Sequence, residues 1–195
     1  MIQFENMSQL LEERSQGIAK LEKYTAEGFF AIRENITPGE YIRLIVNDEL
    51  MMSNTSMEKR TSSEFLSKAW GNVLICGLGI GLVILPLLKN PNVESITVVE
   101  KYSDVIDIVL PQIKQYDVED KLTVVNQDCF EFSVDRPQFD SIFIDIWPNI
   151  NEDIYKEEMK PLKQKYRKFL TPLGKQQKNI FVWAEDYAKN GWRLY

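Results

Sequence analysis

Val73-Leu74-Ile75-Cys76-Gly77-Leu78-Gly79-Ile80-Gly81 is the stretch that decides the fold. Four apolar residues closed by a glycine-rich turn read as a short strand, buried on both faces, that bends tightly into a helix. The same alternation continues downstream. Residues 95–99, 122–125, 140–145 and 179–183 read as further strands. Helices are expected from the glycine turn through about Lys89, over 103–115 and over 154–170. Strands apolar on both faces and separated by helices predict an α/β, Rossmann-like, doubly wound and mostly parallel sheet with helices on both faces. The ligand of such a sheet sits beyond the carboxyl ends of its strands.

Upstream the pattern changes. Met7, Leu10, Leu11, Ile18 and Leu21 recur at helical spacing with charged residues between them, which predicts an amphipathic helix over 5–24. Residues 41–46, the pair Asn47-Asp48 and residues 49–53 read as a β-hairpin, and 62–70 as a short helix. The expected organisation is an N-terminal helix and β-hairpin appendage over 1–69, then a Rossmann-like ligand-binding domain over 70–195. Little sequence follows the fifth strand, so the sheet is expected to be shortened at the C-terminus. Its edge is then expected to be covered by the N-terminal segment or by a second subunit of a homodimer.

Composition narrows the chemistry. The chain has 195 residues, 44% hydrophobic and 27% charged, which is the balance of a globular protein. It contains no histidine, which removes a Ser-His-Asp triad and any imidazole-based metal site. Its two cysteines, Cys76 and Cys129, are far apart in sequence and form neither a metal-ligand pair nor a disulfide framework, so no metal is expected. Two thiols and a start without a basic leader point to a reducing cytoplasm. The longest uncharged run, residues 73–88, is broken by glycines and Pro86 and is shorter than the roughly 20 residues of a membrane span. A net charge of −6 disfavours a nucleic-acid partner, and the Lys/Glu/Arg series from Lys156 to Lys168 reads as the solvated side of a helix.

The turn is GxGxG, with Leu82 where a dinucleotide fingerprint has its third glycine. That departure suits a nucleoside without phosphates, although tight strand-to-helix packing demands glycines as well. Glu100 closes the second strand roughly 20 residues later, the position from which a carboxylate accepts the two hydroxyls of a ribose. Asp128, in Asn126-Gln127-Asp128-Cys129-Phe130, follows the third strand and can accept an adenine amine. Asp145, in Asp145-Ile146-Trp147-Pro148, follows the fourth at the switch region, where a cationic end would lie. Each acid alone serves equally as a helix cap or turn former. Three of them at successive strand ends, after this turn, point to one adenosine site.

The candidate cofactor-binding residues are therefore Gly77, Gly79, Gly81, Glu100, Lys101, Asp128 and Cys129. Asp145, Trp147 and Pro148 form the candidate substrate pocket, with Asp145 as the candidate catalytic group. Trp147 has two readings, a face for a cationic amine or a lid on the following helix. Tyr102 packs on adenine or in the core, Cys129 reads as a small buried thiol, and Glu185 and Asp186 line the acceptor edge or form a surface turn.

Residues 73–81, Val98-Val99-Glu100, Gln127-Asp128-Cys129 and 139–145 together resemble the class I S-adenosylmethionine-dependent methyltransferase fold. The hairpin ahead of the glycine turn makes the chain most similar to its spermidine-synthase-type branch. The resemblance implies S-adenosylmethionine as cofactor, with Gly77 and Gly79 beside its methionine part and ribose. Glu100 would hold the ribose diol, Asp128 the adenine amine, and Asp145 would face the amino end or the substrate. Methyl transfer to an amine, hydroxyl or carboxyl on a small molecule or side chain is the first expectation. Aminopropyl transfer, or a non-catalytic nucleoside-binding protein, are the alternatives. The sequence departs from the aminopropyltransferase pattern Asp-Ser/Thr-x-Asp-Pro, since Asp145-Ile146-Trp147-Pro148 keeps one acid. Met52 stands where that branch has a hairpin glutamine, and Ser62-Ser63-Glu64 lacks the tyrosine of its Tyr-x-Glu signature.

Overall fold

The computed structural model describes residues 2–33 and 35–192. Its main sheet has five parallel strands in the order β7-β6-β5-β8-β9. These are β5 (Gly71–Cys76), β6 (Val93–Glu100), β7 (Leu122–Asn126), β8 (Ser141–Ile144) and β9 (Ile180–Val182). The period of two along β5 sorts its side chains onto opposite faces. Val73 and Ile75 join the core packed under α5 (Ser103–Ile113), while Leu74 and Cys76 join the core packed under Met159, Leu162 and Tyr166. Both faces are therefore buried, which is why the strand is apolar throughout. The direction of winding reverses between β5 and β8, and the crevice at their carboxyl ends is the topological switch point.

The N-terminal part corrects the sequence reading. The helix forms over Met7–Leu10 (α1), and the rest of the predicted 5–24 helix is a hairpin of β1 (Arg14–Gln16) and β2 (Ala19–Ala26). Gly17, at φ +49°, turns the chain, and its missing Cβ leaves room for Asp104, whose carboxylate accepts the Ile18 N–H at 3.0 Å. From Ala19 the buried positions come first at every second residue, a strand period that the helical spacing of Met7, Leu11 and Leu21 disguises. With β3 (Gly39–Val46) and β4 (Glu49–Ser53) these strands form a four-stranded antiparallel sheet. The predicted hairpin between β3 and β4 is present. Asn47 and Asp48 both take positive φ, the geometry of a two-residue turn matched to strand twist.

The sheet contributes Leu21, Ile42, Leu44 and Val46 to the same buried cluster as Ile75 and Ile108, so the N-terminal segment and the parallel sheet share one core. Helix α2 (Gly28–Arg33) precedes β3; helix α3 (Ser56–Lys68) starts earlier than the expected 62–70 and lies on β8 and β9, with Phe65 stacked on Phe143 at 4.6 Å. After the glycine turn the chain makes a further turn before α4 (Ile84–Leu88). The stretch 152–169 is one near-continuous helical run that opens into a π turn over Tyr155–Met159. Among the described residues no helix is long and apolar enough to cross a membrane.

Candidate active site

A cavity of about 250 Å³ opens at the carboxyl ends of β5, β6 and β8, beside the β3–β4 hairpin. Every candidate cofactor and substrate residue named in the sequence lines it except Gly81. Glu100, Lys101, Asp128 and Cys129 come from the ends of β6 and β7, Asp145, Trp147 and Pro148 from the end of β8, and Gly77 and Gly79 from the turn after β5 between them. Gly81, at φ +78°, instead faces Ile113 in the core, where an added Cβ would meet a methyl at 3.0 Å. The other two glycines also face the protein's own atoms. A Cβ on Gly77 would stand 2.1 Å from the backbone oxygen of Asp145, and one on Gly79 2.1 Å from the Met52 sulfur. Gly77→Ala, at φ +95°, is expected to destabilise the fold by about 2–4 kcal/mol, because a strained backbone and a clash with rigid backbone add. Urea denaturation reads this directly, and an unchanged midpoint would contradict it.

Glu100 is held rigidly. One carboxylate oxygen accepts the Leu78 N–H and the other the Tyr102 N–H, both at 2.8 Å. Burial pushes its carboxyl above the ordinary value, and the two amides offset part of that rise. Each oxygen retains a second lone pair, enough to accept the two hydroxyls of a ribose. Asp128 accepts the Phe130 N–H at 2.8 Å and pairs with Lys101 at 3.0 Å. Burial alone would raise the Asp128 carboxyl, but the Phe130 amide and the Lys101 ammonium outweigh it and hold the group below its usual range. Lys101 is raised by the same pairing. Two acceptor carboxylates between the apolar walls of Leu82, Val99 and Phe130, with Lys101, the one cation lining the cavity among the described residues, already paired, fit a nucleoside better than a phosphate ester. Cys129 is buried, its thiol donating to the Val99 carbonyl at 3.6 Å and its own carbonyl accepting the Tyr166 hydroxyl at 2.9 Å. That is a packing role. Tyr102 lines the cavity, with the Lys101 ammonium 5.8 Å from its ring centre.

At the other end Asp145 donates its backbone N–H to the Cys76 carbonyl at 3.0 Å, which fixes it at the tip of β8. Burial raises its carboxyl to about 7. Trp147 is buried, and its indole N–H donates to Glu158 at 2.7 Å. It is thus a packed lid that also forms part of the cavity wall. Glu185 pairs with Lys163 and, with Asp186, lies outside this cavity, in the first turn of a helix over Glu185–Asn190 and not in a surface turn.

Three residues lining the cavity, and one buried acid near Asp145, escaped the sequence reading or were read in another role. Glu158 reaches the cavity from the π turn, an irregularity common at functional sites and invisible in a helical pattern. Glu49 arrives from the hairpin and accepts the Asn149 amide at 2.9 Å. Met52 rests on the glycine turn. Glu58, on α3, is buried and its carboxyl is pushed to about 8, first by burial and then by the charge of Asp145, against opposing contacts from the Ser53 backbone and the Trp183 side chain. Its signal was in the sequence. Glu58 shares a helical face with Ser62 and Phe65, a spacing that marks it as core-facing.

Residues 60–174 match the family model described as the spermine/spermidine synthase domain. The chain belongs to the spermine/spermidine synthase family. Family membership and strand order together give it the class I S-adenosylmethionine-dependent methyltransferase fold, in the spermidine-synthase-like branch. None of the curated proteins compared matches the chain. Among solved structures it is similar to the YcgJ protein from Bacillus subtilis, with 13% identity over 58% of this chain and 47% of that one and a TM-score of 0.45. It is also similar to the glycopeptide N-methyltransferase MtfA complexed with S-adenosyl-L-homocysteine, at 21% identity over 60% and 45% of the two chains and a TM-score of 0.45. The N-methyltransferase NodS from Bradyrhizobium japonicum WM9 gives 22% identity over 60% and 65%, again with a TM-score of 0.45. The matched region spans about half the length of the first two of these.

Proposed function

We propose that this family member binds S-adenosylmethionine and transfers its methyl group to an amine acceptor. The observation that carries the reading is the convergence of Glu100, Asp128 and Asp145, from three successive strand ends, on one cavity. Glu100 accepts the ribose hydroxyls and Asp128 the adenine amine, in a pocket whose walls exclude water from the ring faces. The bound cofactor supplies a methyl group already activated on a positively charged sulfur. Asp145, poised near neutrality by burial, takes a proton from the acceptor amine and aligns it for in-line attack. Glu49 and Glu158 line the same cavity as Asp145, so acidic side chains gather at that end and favour a cationic acceptor over an anionic one.

Calorimetry with S-adenosylhomocysteine tests the donor half. The wild type is expected to bind, and Glu100→Ala to bind about ten- to hundredfold more weakly, the loss of hydrogen bonds to a charged acceptor. No wild-type binding, or equal affinities, would defeat the reading. A second reading, aminopropyl transfer from the decarboxylated donor, is favoured by the family match and uses the same acids. Turnover of a diamine with that donor, and none with S-adenosylmethionine, would select it.

A further inference from the structure

Met52 sits where the hairpin touches the glycine turn. Its sulfur accepts the Ile80 N–H at 3.2 Å and fills the space that a Cβ on Gly79 would occupy. With Leu44 and Met51 it forms the hairpin wall of the cavity. Glu100 lies at one end of that cavity and Asp145 at the other, while Gly77, packed against the Asp145 carbonyl, and Gly79 lie along its wall. A substituent on the 5′ carbon of a ribose held by Glu100 must run past this turn to approach Asp145. Met52 stands beside that route. With Met52 in place the cavity is about 250 Å³, below the roughly 300–1,000 Å³ of pockets that enclose whole ligands of drug size.

The residue is suited to moving. Methionine is unbranched, with three rotatable bonds, and a thioether is a weak acceptor that gives up an N–H at small cost. We propose that Met52 is the specificity-determining residue of the donor site, a stopper that sets the length of 5′ substituent an adenosine can carry. Resting on Gly79, it admits adenosine with a short thioether substituent. A ligand with a full amino-acid tail enters when the thioether swings off the turn, forfeiting its contact with Ile80. This rests on the donor reading above and adds the residue that discriminates among adenosyl ligands.

The test compares 5′-methylthioadenosine, which has a short tail, with S-adenosylhomocysteine, which has a long one. Affinities are measured by calorimetry on the wild type, Met52→Ala and Met52→Leu. Met52→Ala is expected to tighten S-adenosylhomocysteine about three- to tenfold, the worth of one modest hydrogen bond no longer sacrificed, and to leave methylthioadenosine within about twofold. Met52→Leu keeps the bulk without the acceptor, so its gain is smaller, and it guards against a variant that merely loosens the hairpin. In protein carrying ¹³C-methyl methionine, the Met52 signal, assigned by its loss in Met52→Leu, is expected to shift with S-adenosylhomocysteine and to stay put with methylthioadenosine. Binding of both ligands with an unchanged affinity ratio across the variants, or a Met52 signal that responds alike to both, overturns the stopper while leaving the donor site standing. Failure of both ligands to bind the wild type overturns the donor reading and the stopper with it.

Discussion

Asp145→Asn is expected to slow group transfer by about 10²–10⁴-fold, the usual worth of a positioned general base, while S-adenosylhomocysteine binds within a few fold of wild type. The asymmetry follows from the geometry. Asp145 lies at the β8 tip, and the candidate ribose and adenine contacts are made by Glu100 and Asp128 at the other end of the cavity. Its carboxyl is raised from 3.8 to about 7, with burial as the cause, so at acid pH it carries a proton and cannot accept another. The rate in the wild type should therefore climb as pH rises through about 7, and the asparagine variant should lack that limb. Labelled-methyl transfer to a panel of amines, followed between pH 5.5 and 8.5, reads both effects. A limb of the same midpoint in the variant would assign the proton to another group, and an unchanged rate would remove Asp145 from the chemistry.

What the sequence made legible and what it hid divide along physical lines. The parallel sheet was readable because β5 and β8 are buried on both faces, and a continuous apolar run between helices suits few arrangements besides a central parallel strand. The strand-end acids were readable because a strand's carboxyl end has a fixed place in such a sheet. The helix over 5–24 failed because apolar residues at 7, 11 and 21 satisfy a helical period by coincidence while Gly17 marks the turn that breaks it. The glycines of the turn illustrate a subtler limit. Their spacing pointed to the cavity, yet all three take positive φ and face the chain's own atoms, the Asp145 carbonyl, the Met52 sulfur and the Ile113 side chain. A ligand-binding loop and a tightly packed one demand the same residues, so the glycine spacing alone does not separate them. Helical spacing marks Glu58 as core-facing, but that it and Glu158 belong near Asp145 was hidden for another reason. Which acids approach Asp145 depends on how α3 and the π turn dock, and docking is not written in local periodicity.

Glu58→Gln is expected to stabilise the protein at alkaline pH and to matter little at acid pH. The folded state holds the Glu58 carboxyl at about 8, against an ordinary value of 4.5, because burial and the nearby Asp145 charge both oppose ionisation. Asp145 is raised in the same sense. A raised carboxyl means that the folded chain keeps protons which the unfolded chain releases, so stability falls as pH rises from the unfolded value through the folded one. The window for Glu58 thus runs from about 4.5 to about 8. At about 1.4 kcal/mol for each pH step between the two values, the loss from this one group amounts to several kcal/mol by its upper end. Glutamine keeps the size and an acceptor oxygen and has no proton to lose, so that part of the slope disappears. Asp117 and Asp128, held below their usual values, act on the opposite side, costing stability as pH falls below about 4, and do not overlap the window. Glu100 is raised and adds slope of the same sign, which Glu58→Gln leaves in place. Urea melts at pH 5 and pH 8.5 separate the cases: the variant should match wild type at the first and exceed it at the second. Asp145→Asn supplies the cross-check, since removing the neighbouring charge should lower the Glu58 value and flatten part of the same slope. A difference between wild type and Glu58→Gln that is constant with pH would mean that Glu58 is already ionised in the folded protein, and the two carboxylates would then have to lie apart.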